Sequence, residues 1–369
     1  MQKNCLGYPV EFAEDAFGDS DVLAKALAKT CGDGPKVLIV ADMNVVQRTP
    51  GLGSKIGRYV QAHDLKLAGS PVVLQASEKI KADSLQSVLK IVSAMLEAKL
   101  GRTDVVMVLG GGSLLDVTAY AASQVRGGVR LVRVPTTPAA MMDAAFADYA
   151  AVDSANVKDA LRVSSVPAFV LIDPTLAQGV LDGVWNGGVG EAIRLAAACD
   201  AALLKKIEAL TPDYRKRDLA ALGELARAVA ATRQKKGSTG LGLWAAHRLE
   251  SMSGYKLPHG YAVPIGLLID LNYAVERGLA KAEARDRVLK VMLAGGVLEG
   301  LSHSRHLVAQ SENLLFGLDA WRLTSPSGQL PVFTGVGKSS FETETDRALF
   351  LSILKNLNSF PVEGQNLVK

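Results

Sequence analysis

Cysteine is scarce in this chain. Only Cys5, Cys31 and Cys199 occur among 369 residues, far apart and with no Cys-x-x-Cys pair. An odd, widely spaced set builds no disulfide framework and fits a reducing, cytoplasmic setting. An excess of either charge is lacking too. The 41 basic and 37 acidic residues leave a net charge of +4, with no basic cluster of the kind that nucleic-acid binding needs. No apolar run reaches membrane-spanning length. The first residues, Met1-Gln-Lys-Asn-Cys-Leu-Gly7, lack the apolar centre of a secretion signal. No internal repeat and no low-complexity block is found. These absences exclude a secreted disulfide scaffold, a membrane span and a nucleic-acid binder. They leave a cytoplasmic globular protein, and the small positive excess suits an anionic small molecule.

What is present is apolar mass arranged in two patterns. Hydrophobic residues make up 49% and charged residues 21%, ample for a core, and the length favours two domains. From residue 36 to about 173, apolar strand-like runs (36–41, 71–75, 105–110, 129–134, 168–172) alternate with helix-like runs (52–63, 84–99, 114–122). Alternation of this kind predicts a parallel sheet with helices on both faces. After Pro174 the apolar spacing becomes helical in six consecutive segments. The expected fold is a Rossmann-like α/β domain over residues 1–178, followed by an all-helical C-terminal domain over 179–369. A cleft between the halves is the expected place for a ligand.

The most informative stretch is Val105-Val-Met-Val-Leu-Gly-Gly-Gly-Ser-Leu-Leu-Asp116. An apolar strand, three glycines and an amphipathic helix let backbone N–H groups approach a pyrophosphate at a helix N-terminus. The next apolar run ends in Pro135-Thr136-Thr137, which sets two hydroxyls at the carboxyl end of a strand, where open α/β sheets bind ligands.

Several segments, in this order, resemble the dehydroquinate synthase-like superfamily of sugar-phosphate cyclases: Ala41-Asp-Met-Asn-Val45, Glu78-Lys-Ile-Lys81, Gly110-Gly-Gly-Ser-Leu-Leu-Asp116, Pro135-Thr-Thr137 with Asp143, Gly188-Val-Gly-Glu-Ala-Ile-Arg194, Ala246-His-Arg-Leu-Glu250 and His259-Gly-Tyr-Ala-Val263. The resemblance implies NAD as a recycled cofactor, phosphate elimination from a phosphorylated sugar, closure of a carbocycle, a divalent metal such as zinc, and a homodimer. It implies that Asp42, Asn44, Glu78 and Lys81 hold the adenosine end of NAD. Gly111 and Gly112 would face the pyrophosphate, and Asp116, Thr136, Thr137 and Asp143 the nicotinamide end. Asp143, Lys158, Arg194 and His247 would act on the substrate. The other functions open on this fold are a net NAD(P)-dependent polyol dehydrogenase and a catalytically degenerate NAD-binding homologue.

The resemblance also implies a metal held by a glutamate and two histidines. Glu191 and His259 match two of these positions. Leu243 stands at the third and has no lone pair to give, whereas a zinc site needs three protein ligands and an open position. His247 shares a helix face with Leu243 but lies about 6 Å along the axis, one turn away. The substrate segment departs as well. Tyr149 stands in place of a family lysine, Asp159 in place of an asparagine, and Arg194 in place of a lysine, which keeps charge but alters geometry.

Overall fold

Apolar side chains line both faces of the central strands, and this is the condition for an all-parallel sheet. The computed structural model describes residues 5–32, 34–75, 84–154, 157–325 and 328–360. The chain forms two compact units, one of Asn4–Trp185 with Arg217–Ala230, the other chiefly of Asn186–Lys216 and Ala231–Lys369.

The first unit carries β1 (Val10–Phe12), β2 (Lys36–Asp42), β3 (Lys66–Leu67), β4 (Val72–Leu74), β5 (Val105–Gly110), β6 (Arg130–Pro135), β7 (Tyr149–Ser154), β8 (Val157–Ser164) and β9 (Phe169–Ile172). Seven of these make a parallel sheet in the order β1-β9-β6-β5-β2-β3, with β4 also on β2. On one face Val37, Ile39, Ala41, Val105, Met107, Leu109, Val132 and Val134 form a continuous cluster. On the other, Leu38, Val40, Val106 and Val108 are equally buried. Burying such a side chain contributes roughly 1.5–3 kcal/mol, so neither face tolerates a charge. Parallel register then gathers the carboxyl ends of the strands on one edge. Ala41 pairs with Leu109 and Gly110 with Pro135, so Asp42, the glycine turn and Thr136 come side by side.

The antiparallel pair β7–β8 has no counterpart in the sequence reading. It follows a loop held by Arg133, a fully buried arginine on β6. The Arg133 guanidinium donates to the carbonyls of Ala145, Ala147, Tyr149 and Ser165. Fixing four backbone acceptors with one side chain shapes the segment between Asp143 and β7.

The second unit is mainly helical. Its helices include Asp182–Cys199 from Asn186 onward, Ala201–Arg215, Leu243–Met252, His259–Glu276, Ala282–Ala294, Glu299–Val308, Ser311–Thr324 and Arg347–Leu357. It is not purely helical, because β10 (Leu330–Gly335) and β11 (Lys338–Glu342) pair as an antiparallel hairpin. The Gly335-Val-Gly-Lys338 stretch is that hairpin's turn. The helix of Glu191 runs through Gly183, Gly187, Gly188 and Gly190, residues whose low helix propensity obscures its start in the sequence. Burial overrides propensity here, and Gly190 fits because the next helix is close: a Cβ would lie 3.0 Å from Pro264 Cγ. His303 and His306 are exposed on the helix Glu299–Val308. Among the described residues no helix is long and apolar enough to cross a membrane.

Candidate functional site

The candidate residues form two groups, one in each unit. In the α/β unit the helix Gly112–Gln124 starts directly after β5 with Gly111 as its N-cap. Glycine has no side chain to bond the first helical N–H groups, so this N-terminus suits the oxygens of a pyrophosphate. The glycines are also demanded by packing. A Cβ on Gly110 would lie 2.8 Å from Leu114 Cδ2, one on Gly111 3.2 Å from Thr137 Cγ2, and one on Gly112 3.1 Å from Ala144 Cβ.

On the adjoining strand end, Asp42 caps the helix Met43–Arg48. Its Oδ1 accepts from the Asn44 backbone at 2.8 Å and from Asn44 Nδ2 at 3.1 Å. Thr136 is buried, and its N–H donates to the Gly110 carbonyl at 3.0 Å. Thr137 caps the helix Pro138–Met142 through a bond from the Ala140 N–H, and Asp143 is the residue after that helix. Asp116 is buried on the helix Gly112–Gln124. The structure thus brings Asp42, Asn44, Gly111, Gly112, Thr136 and Thr137 to one edge. Glu78 and Lys81 lie outside the described residues.

Lys158 lies on β8, half-buried, next to Asp159. Asp159 has a left-handed backbone and its N–H donates to Asp153 Oδ1 at 2.8 Å. The Tyr149 ring lies under the guanidinium of Arg162, 4.9 Å from its centroid. Burial, with the charge of Asp159, pushes the Tyr149 phenol up to about 12. It therefore stays neutral, and a positive charge at this point comes from Arg162.

The second group lies in the helical unit, where two helices cross backbone to backbone. A Cβ on Gly266 would sit 2.0 Å from the Gly242 carbonyl oxygen, and Gly242, the left-handed N-cap of Leu243–Met252, would drive a Cβ to 2.6 Å from Leu267 N. Only glycine meets both demands. Asp270 locks the crossing, accepting from Gly242 N–H at 2.6 Å and from Trp244 Nε1 at 2.8 Å. Burial pushes its carboxyl up to about 7 against these two bonds.

The crossing sets His247 and Glu250 beside His259, the first residue of the next helix. His259 Nδ1 lies 2.7 Å from Glu250 Oε1, and its Nε2 lies 2.8 Å from Glu191 Oε1. Glu191 Oε2 accepts from Arg194 Nε at 2.7 Å, and Arg194 Nη1 donates to the Thr239 carbonyl at 2.8 Å. The side chains of Glu191 and Glu250 are fully buried, while His259 is 24% exposed. Ionised carboxylates only accept, so both ring nitrogens must donate and the ring is the imidazolium. Burial alone would lower its pKa, but the Glu250 charge and the bonds to Glu191 and Glu250 hold it up at about 10. The His247 ring is 6.1 Å from that of His259.

Glu191 and His259 therefore meet, and His247 stands next to them. Arg194 does not point outward: it is fully buried and neutralises Glu191. The candidate residue that the sequence reading left without a role is Glu250, which joins His247 and His259 in one cluster. Its signal was present, since His247 and Glu250 are three apart and so share one helix face. Glu191 and His259 meet, as the three-ligand metal plan of the resemblance implies, but the plan is incomplete in this chain. Leu243 offers no donor at the third position, so the plan is one ligand short.

Comparison with known proteins bears on both units. The sequence model of the N-terminal part of 3-dehydroquinate synthase matches residues 71–183, and that of its C-terminal part residues 188–303. The 3-dehydroquinate synthase of Cyanothece sp. is 30% identical over 269 residues, 69% of this chain and 71% of that one. The fold is similar to ValA, a 2-epi-5-epi-valiolone synthase from Streptomyces hygroscopicus subsp. jinggangensis 5008 with NAD+ and Zn2+ bound (TM-score 0.81, 23% identity, 95% of this chain and 96% of that one). It is also similar to 2-deoxy-scyllo-inosose synthase complexed with carbaglucose-6-phosphate, NAD+ and Co2+ (TM-score 0.75, 16% identity, 96% and 99%).

Proposed function

Because this chain belongs to the 3-dehydroquinate synthase family, we propose that it is a sugar-phosphate cyclase, a carbon–oxygen lyase that uses NAD as a recycled cofactor and acts as a homodimer. NAD, when bound, supplies reversible hydride transfer at the substrate carbon. In this reading Asp42, Asn44, Glu78 and Lys81 bind the adenosine end. The N-terminus of the helix Gly112–Gln124 binds the pyrophosphate, and Asp116, Thr136, Thr137 and Asp143 orient the nicotinamide end.

The observation that carries the proposal is the chain of buried charges Arg194–Glu191–His259–Glu250. Two carboxylates and two cations cancel, so the cluster is neutral while keeping a proton on each side of the His259 ring. Both ring N–H groups are engaged by Glu191 and Glu250, so the cluster acts by fixing the His259 ring and its charges, out of water, beside His247. His247, half-exposed beside them, takes the hydroxyl proton as the alcohol is oxidised and returns it on reduction. Lys158 and Arg162 supply positive charge for an anionic substrate, in place of the lysine that Tyr149 replaces. The new carbonyl acidifies the C–H on the neighbouring carbon. As that proton is lost, phosphate leaves from the carbon beyond it. The hydride then returns to the carbonyl carbon, and the ring closes by aldol addition.

The test is to supply seven-carbon sugar phosphates with NAD and to follow phosphate and NADH together. The expected result is phosphate release without accumulating NADH. Steady NADH build-up would make the protein a net dehydrogenase. NAD binding with no turnover of any sugar phosphate would make it a degenerate homologue.

A further inference from the structure

We infer that a divalent transition-metal ion binds this chain through His247, Glu250 and His259, one helical turn from the position at which Leu243 stands. The inference rests on the cyclase reading for its site and gives that site a metal-loaded form, in which His247 ligates instead of carrying the substrate proton and His259 is neutral. It is decided by metal content, which is read without substrate.

Three observations carry it. First, His247, Glu250 and His259 each offer a ligand atom, and these atoms lie within 4.8 Å of one another. Zinc donors sit at about 2.0–2.2 Å from the ion, so a rotation of the half-exposed His247 side chain closes the set. Two imidazoles, one carboxylate and an open fourth position is a donor set that suits zinc or cobalt. Second, the two nitrogens of His259 have different neighbours. Nδ1 faces Glu250, while Nε2 donates to Glu191 at 2.8 Å. A ligating histidine holds its orientation by donating its other N–H to a carboxylate, and here Arg194 in turn anchors that carboxylate at 2.7 Å. Third, the charges are already allotted. Arg194 pairs with Glu191 at 2.7 Å, and the buried Glu250 carboxylate lies 2.7 Å from Nδ1 of His259, so these two ligand atoms already face one point. When the ion binds, the proton on Nδ1 of His259 is released to solvent and the Nδ1 lone pair becomes the ligand. Glu191 thus changes from the ligand that the family plan implies to a positioning residue.

The experiment uses the full chain, stripped with chelator, reloaded with Zn2+ or Co2+, dialysed and analysed for metal by mass spectrometry. About one ion per chain is expected, with the visible absorption of four-coordinate cobalt in the Co2+ form. His247→Asn is the main variant, because a half-exposed position is least apt to disturb folding. It should lose the bound ion and the cobalt bands while keeping the circular dichroism of the parent. Glu250→Gln should do the same. Glu191→Gln should keep the ion at saturating metal, weakened by about 10–100-fold as expected for a positioning group. The inference is overturned if the reloaded parent holds no ion, or if His247→Asn keeps its ion while Glu191→Gln loses it. Metal that follows the expected pattern in a protein that releases no phosphate would refute the cyclase reading and leave this one standing.

Discussion

Arg194 Nε lies 2.7 Å from Glu191 Oε2, with neither side chain exposed by more than 1%. Leaving one member of such a pair buried alone is costly, because the remaining charge has no water to solvate it. Arg194→Met should therefore destabilise the chain by about 3–5 kcal/mol. Urea unfolding checks this, and a variant as stable as the parent would show that the Glu191 charge is carried by another group.

The Gly242–Gly266 crossing leaves no room for a methyl group. Gly266→Ala would drive a Cβ to 2.0 Å from a backbone oxygen. The helices must part, at a cost of at least about 1–3 kcal/mol. Since His247 and Glu250 are on one helix and His259 on the other, thermal unfolding and metal binding should both weaken. An unchanged melting temperature would contradict the crossing.

Arg133 holds the loop before β7 by four carbonyls. Arg133→Met keeps the length and apolar bulk of the side chain but strands those acceptors, each worth about 1–3 kcal/mol when buried and unpaired. Limited proteolysis should cut the variant within residues 143–165 at protease levels that leave the parent intact. Equal resistance would mean that the loop is held by other contacts.

Asp270 sets a pH dependence of stability. Its folded pKa, about 7, exceeds the usual value of 3.8, so between these values the folded state binds more protons than the unfolded one. Stability from this group is full below about pH 4 and declines as pH rises toward 7. Asp270→Asn removes the titration and exchanges one acceptor for a donor facing Gly242 N–H. The stability advantage of the parent over Asp270→Asn should shrink from pH 4 to pH 7. An advantage that grows over that window would reverse the sign of the argument.

The parts of the fold that local chemistry dictates were legible in the sequence. An apolar strand, the glycine turn and a following helix are consecutive, and Pro135-Thr136-Thr137 closes the next strand. Glu191 and His259 are 68 positions apart, and only the resemblance linked them before the structure did. Arg133 was opaque for a physical reason: its partners are backbone carbonyls, which every residue possesses, and an arginine between two valines looks like an ordinary outward strand position. Asp270 was hidden similarly in the apolar run Leu267-Leu-Ile-Asp-Leu271, since its partners come from a helix that only the Gly242 crossing brings near. The hairpin β10–β11 and the pair β7–β8 are short, and alternation over so few residues gives a weak signal.

The parallel register has a consequence for how such a chain can diversify. The strands end together on one rim, and in the proposed reading the substrate is met by loops beyond that rim and by β7–β8. Tyr149 and Arg162 occupy that appendage, whereas the buried faces of β2, β5 and β6 are untouched by exchanges within it. In that reading, exchanges at Tyr149 or Arg162 would alter substrate preference while the strands beneath keep their packing.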